Sequence, residues 1–135
     1  MAQANVYLIF NGNCREAMHF YKEALGGELN ITTMGDSPMK DQVPPEIHPQ
    51  VMHAMLQNDS IVLLASDGAM GQPVTLGNAI TLALQATSVE EAEHFFTALS
   101  KGGTTTMPMQ ETYWALRYGQ LTDRFGVQWL INLSK

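Results

Sequence analysis

The chain has 135 residues, enough for one domain with a real core but too few for separate catalytic and regulatory parts. Its net charge of −6 and the lack of any Lys/Arg cluster argue against nucleic acid and anionic membrane surfaces, which demand a basic footprint; a small molecule or a protein is left as partner. The single cysteine, Cys14, excludes a disulfide framework and a Cys-rich metal motif and suits a reducing, cytoplasmic setting.

The N-terminal stretch MAQANVYLIFNGN has no basic flank and too short an apolar run for a signal peptide or a membrane span, so a soluble, unprocessed protein is expected. Within it, Val6 to Phe10 is short, β-branched and aromatic and ends at Asn11-Gly12, which predicts a buried strand. A helix follows from Asn13 to about Leu25, with Ala17, Phe20, Tyr21, Ala24 and Leu25 as its apolar stripe. Glu28 to Met34 reads as a second strand.

Residues 35 to 50 hold four prolines and no periodic pattern, which predicts a long loop, either a lid or a disordered segment. Val51 to Gln57 and Ser60 to Ser66 form a predicted hairpin closed at Asn58-Asp59. Residues 68 to 77 read as a linker. Beyond it come a strand at Ala79 to Gln85, a helix from Ser88 to about Lys101 and a strand at Thr104 to Met109. The last hairpin, Thr112 to Thr122 with Val127 to Leu133, turns at Asp123-Arg124-Phe125-Gly126.

The order in the second half repeats that in the first, and so do the residues. Asn13, Glu16, Ala17, His19, Phe20 and Tyr21 are echoed 75 positions on by Ser88, Glu91, Ala92, His94, Phe95 and Phe96. Each copy opens with a cap residue followed three positions later by Glu, and each stops at a glycine pair. One α+β domain spanning 1–135 results, with a first module at about 5–67 and a second at about 78–133. Binding is expected at the seam of such a pseudo-symmetric pair. Nine methionines suit an adaptable interior, whether as gap-fillers or as pocket lining.

Four blocks, VYLIFNGNCREAMHFYKEALGGEL, HAMLQNDSIVLLASD, QETYWA and LTDRFGVQWLINL, resemble the vicinal oxygen chelate superfamily of glyoxalases, bleomycin-resistance proteins and dioxygenases. Within it they look like the PhnB-like branch, often labelled 3-demethylubiquinone methyltransferase-like. The resemblance implies paired βαβββ modules, a cup-shaped mixed sheet with the helices outside, and a homodimer. It also implies, for metal-using members, a divalent ion held by His, Gln or Glu on the first and last strands of each module. Those positions fall here on Val6, Leu63, Thr81 and Leu130, none a good ligand, so no cofactor is expected. A shift by one residue, to Tyr7, Val62 or Leu64 and to Leu82, Trp129 or Ile131, brings no better donor. The methyltransferase label finds no support, because no Gly-rich strand-to-helix turn is present to hold a nucleotide-like cofactor.

His53 stands mid-strand, with Val51 and Met55 expected on its face, and is either a core residue or a group aimed into a pocket. Glu111 precedes Tyr113-Trp114; it is either a desolvated acid/base group or a wet strand end. Those two are the candidate catalytic residues, and Met55, Leu63, Trp114 and Leu130 the candidate ligand contacts, with Trp129 in the core. Asp123 and Gly126 are explained by the turn alone. Cys14 would sit in the first turn of a helix, where the macrodipole lowers a thiol pKa, yet no nearby His or Asp in the sequence supports a reactive role. Three readings remain open. One is a cup that binds a small molecule without the usual metal; another is a ligand-sequestering, resistance-type protein; the third is a metal-dependent lyase or dioxygenase relocated to His53 and Glu111.

Overall fold

The computed structural model describes residues 2–68 and 73–135. It divides into two compact units, Met1–Val74 and Thr75–Lys135. The boundary lies in the expected linker 68–77, of which residues 69–72 are outside those described.

The first unit contains β1 (Val6–Phe10), α1 (Cys14–Leu25), β2 (Glu28–Thr33), β3 (Val51–Gln57) and β4 (Val62–Asp67). Its sheet runs β1-β4-β3-β2, with β1 parallel to β4 and the other pairs antiparallel. α1 packs on β2, β3 and β4. It buries Cys14, Ala17, Met18, Tyr21, Ala24 and Leu25; Phe20, expected among them, is half-buried, and Met18 and Cys14 complete the stripe. Leu8, Phe10, Ala54, Leu56, Leu63 and Ala65 are the sheet residues buried with them. The turn after α1 needs glycine at Gly27, where φ is +104° and an added Cβ would lie 2.7 Å from the Gln57 carbonyl oxygen.

The proline-rich stretch forms three short 3-10 turns, Met34–Asp36, Lys40–Gln42 and Pro45–Ile47, instead of an open loop. Its ends are joined by Met34 N–H to Gln50 O and Gly35 N–H to His48 O, and His48 Nε2–H donates to Lys40 O at 2.9 Å. A segment bonded to itself in this way has the compactness of an Ω-loop.

The second unit contains β5 (Leu82–Gln85), α2 (Val89–Ser100), β6 (Thr104–Gln110), β7 (Ala115–Thr122) and β8 (Gln128–Ser134), with the sheet order β5-β8-β7-β6. β5 starts three residues later than the sequence suggests. Its ladder with β8 opens at Leu82↔Trp129, and the Gln128 side chain, not a strand partner, satisfies the Ile80 carbonyl. β7 likewise starts at Ala115, because Thr112 Oγ1 accepts from Trp114 N–H and Ala115 N–H and folds residues 112–115 into a turn. Trp129 is 1% exposed, and its Nε1–H donates to Asp123 Oδ2 at 2.9 Å. Asp123 Oδ1 accepts from Phe125 N–H and Val127 N–H, so this carboxylate holds the β7–β8 turn.

The two helices start differently despite their matching sequences. Ser88 Oγ accepts from Glu91 N–H, and Glu91 reaches back to Thr87. Asn13 makes no side-chain cap, contrary to the sequence expectation. Its place is taken by Asp67 at the end of β4, whose Oδ1 accepts from Gly12 N–H and Cys14 N–H at 3.0 Å each while Oδ2 accepts from Val51 N–H at 2.8 Å. A buried carboxylate thereby ties the β1–α1 turn, β3 and β4 together, and its charge complements the helix N-terminus.

Candidate functional site

Each sheet has one face under its helix and one turned away from it. On β1 the helix side carries Leu8 and Phe10, so Tyr7 and Ile9, both 47% exposed, take the other. On β4 it carries Leu63 and Ala65, so Leu64 and Ser66 face away. The strand pairing puts Tyr7 beside Leu64, Leu64 beside Met55 and Met55 beside Asn30. His53 belongs to the same face, its ring 6.2 Å from that of Tyr7. The first open face thus groups Tyr7, Ile9, Leu64 and Met55 with one imidazole, and Asn30 and Ser66 are its polar members.

Leu63, expected as a ligand contact, is 3% exposed in the core beside α1, one residue out of register with the open face. Val6 shares the side of Leu8 and Phe10 and pairs with Leu63. Val51 is buried although His53 is exposed, because the β2–β3 register shifts between Thr32 and Thr33 and separates them. Met55 is half-buried on the open face beside Leu64.

In the second unit the helix side carries Leu84, Trp129, Ile131 and Leu121. Ala83 and Leu130 pair on the open side, as do Gln85 and Asn132, and β7 adds Gln120 beside Leu130 and Tyr118 beside Asn132. Thr81 precedes β5 and is exposed. Trp114 and Tyr113 lie in the turn rather than alternating on a strand. Trp114 is 46% exposed and meets Tyr113 and Tyr118 edge-on, with centroids 4.8 and 5.3 Å away.

Polar side chains on this face bond to one another. Asn132 Nδ2 donates to Gln85 Oε1 at 2.8 Å and to Ser134 Oγ at 3.1 Å, and Gln120 Nε2 donates to the Tyr118 hydroxyl at 2.9 Å. Asn132 was not among the sequence candidates. An amide in the apolar run WLINL was the available signal.

The two catalytic candidates fall in different units. His53 is exposed on its sheet. The Glu111 side chain is 61% exposed and paired with Lys135 Nζ at 3.2 Å, which matches the wet alternative better than the desolvated one. Cys14 is fully buried, and burial, reinforced by the Asp67 carboxylate, pushes its thiol up to about 12, the opposite of the activation a free helix N-terminus would give. His19 is exposed and donates along α1 to Arg15 O, and His94 rests 6.1 Å from Phe95; neither joins an open face. Among the described residues, no three His, Cys, Asp or Glu side chains converge as metal ligands do, and no helix is long and apolar enough to cross a membrane.

Known proteins share this architecture. Protein YjdN of Escherichia coli strain K12 is 35% identical over 137 residues, covering 96% of this chain and 93% of its own. The crystal structure of protein PA1353 from Pseudomonas aeruginosa is 41% identical and superposes with a TM-score of 0.89, covering 99% of this chain and 98% of that one. A Bacillus cereus PhnB protein, described as a putative 3-demethylubiquinone-9 3-methyltransferase, has the same fold at 24% identity and a TM-score of 0.81, with 98% of this chain and 100% of that one covered. The sequence model of the Glyoxalase/Bleomycin resistance protein/Dioxygenase superfamily matches residues 3–131, and the chain belongs to that superfamily.

Proposed function

We propose that the protein binds a small, largely apolar or aromatic molecule on the open faces of its sheets, without the divalent ion used by metal-dependent members of the superfamily. The observation that carries this reading is the identity of the outward residues on the paired strands. They are Tyr7 with Leu64 and Ile9 with Ser66 in the first unit, and Ala83 with Leu130 and Gln85 with Asn132 in the second. Metal-using members take His, Gln or Glu, and of these eight side chains only Gln85 is of that kind, its Oε1 already accepting from Asn132 Nδ2. The family's ion does not fit this donor set, and no step is routed through it.

Tyr7, Ile9, Met55 and Leu64 instead offer dispersion contacts and an aromatic edge. Exposed apolar side chains grouped in this way mark binding surfaces more often than plain solvent contacts. His53 borders them and would be the group to take or give a proton to a molecule resting there.

The test is titration with a neutral apolar dye, Nile red, followed by fluorescence with and without excess EDTA, on the wild type and on Ile9→Ser. Saturable binding that EDTA leaves unchanged and the substitution weakens is expected. Binding abolished by EDTA, or unaffected at Ile9, would overturn the reading.

A further inference from the structure

The buried amide of Asn132 has an unfinished hydrogen-bond set. Both of its N–H groups are used, one on Gln85 Oε1 and one on Ser134 Oγ, and this fixes the direction of the amide. Oδ1 then meets no hydrogen-bond donor among the described residues, although the residue is only 7% exposed. A buried acceptor without a donor destabilises a fold, and a functional role is one of the reasons such a group is kept. In the strand pairing, Asn132 stands beside Tyr118, whose ring is itself flanked by Trp114. A bare acceptor and the Tyr118 ring therefore occupy neighbouring positions of one sheet, with Trp114 of the preceding turn against that ring.

We propose that this part of the second sheet recognises a flat ligand bearing an N–H donor, such as an aromatic carboxamide, with Asn132 Oδ1 accepting that hydrogen and the Trp114–Tyr118 pair supporting the ring. The inference rests on the small-molecule reading above and adds a ligand class to it. Aromatic side chains supply a ring-sized contact at low entropic cost, and the acceptor supplies discrimination, because a ligand lacking the donor leaves the buried oxygen as bare as before. Gln85 orients Asn132 and is a positioning residue.

The probe pair is benzamide and N,N-dimethylbenzamide, which keep the ring and the carbonyl but differ in the N–H. Binding is followed by nuclear magnetic resonance through the side-chain amide signals of Asn132 and Gln85. Benzamide should shift both signals saturably and bind about tenfold or more tightly than its dimethyl analogue, the discrimination expected of one buried hydrogen bond. Asn132→Leu should abolish the difference while leaving the melting temperature unchanged or raised, since an orphan acceptor is removed. Equal binding of the two probes would overturn the donor inference and leave the small-molecule reading standing. No response of any open-face residue to either probe would overturn both. A melting temperature that falls sharply in Asn132→Leu, with probe discrimination absent in the wild type, would show that the amide is purely structural.

Discussion

Replacing Asp67 with Ala should be among the most damaging single changes in the first unit. The carboxylate accepts from three backbone N–H groups, at Cys14, Val51 and the partly buried Gly12. Leaving a buried N–H without an acceptor costs about 1–3 kcal/mol, and bonds to a charged acceptor lie at the upper end of the usual range. Taking about 2 kcal/mol for each of the two buried donors and less for Gly12, where water recovers part, the loss is about 4 kcal/mol. Removing a buried charge offsets some of it. Against a total stability of roughly 5–15 kcal/mol, this is a large share. Asp67→Asn should cost about half as much, because one oxygen can still serve Gly12 and Cys14 while the new amide nitrogen meets Val51 N–H donor to donor. Urea unfolding followed by circular dichroism measures both. A loss below about 1 kcal/mol for Asp67→Ala, at unchanged denaturant slope, would refute the role assigned to this carboxylate.

Three further outcomes follow from the same geometry. Ser88→Ala should cost about 1 kcal/mol as a lost N-cap, whereas Asn13→Ala at the matching position should be close to neutral, since its side chain makes no cap bond; paired thermal melts distinguish them. The Cys14 thiol is raised from 9.0 to about 12 in the fold, so its stabilising contribution is complete below pH 9 and is lost as pH rises towards 12. Each unit above 9 should remove about 1.4 kcal/mol, and Cys14→Ala should flatten that alkaline slope in urea titrations. Trp129→Phe should cost about 2–4 kcal/mol through lost volume and a lost hydrogen bond to Asp123, read as a lower urea midpoint.

The sequence disclosed periodicity well and facing poorly. β1, α1 and β3 lie where composition and helical spacing predict, but β1, expected to be a buried strand, buries only Leu8 and Phe10, because a helix covers one face of its sheet. The helix repeat of 75 residues holds in burial at Ala17 with Ala92 and at Ala24 with Leu99, but not at Cys14 and Met18, whose counterparts Val89 and Glu93 are exposed. The strands repeat one residue differently: buried Leu8 and Phe10 correspond to buried Leu84 and Ala86. The two strand-to-helix connections are equally long, 11–13 and 86–88, so the difference lies in which strand side chains face the helix, and one residue reverses that. Leu63 on β4 faces the helix, and its neighbour Leu64 is the outward residue. Asp67 escaped notice as a cap because its partners Gly12 and Cys14 lie 55 and 53 residues away in the chain. Thr112 to Trp114 has strand-like composition, but a hydroxyl that captures two backbone N–H groups makes it a turn.

Metal stoichiometry tests the central claim most directly. Purified protein would be equilibrated with Ni²⁺, Zn²⁺, Mn²⁺ and Fe²⁺ in turn, dialysed, and assayed for bound metal beside His53→Ala treated identically. The outward residues Tyr7, Leu64, Ala83 and Leu130 predict no ion retained above background in either protein. One ion held per chain, and lost in the His53 variant, would contradict the account and make His53 the anchor of a relocated metal centre.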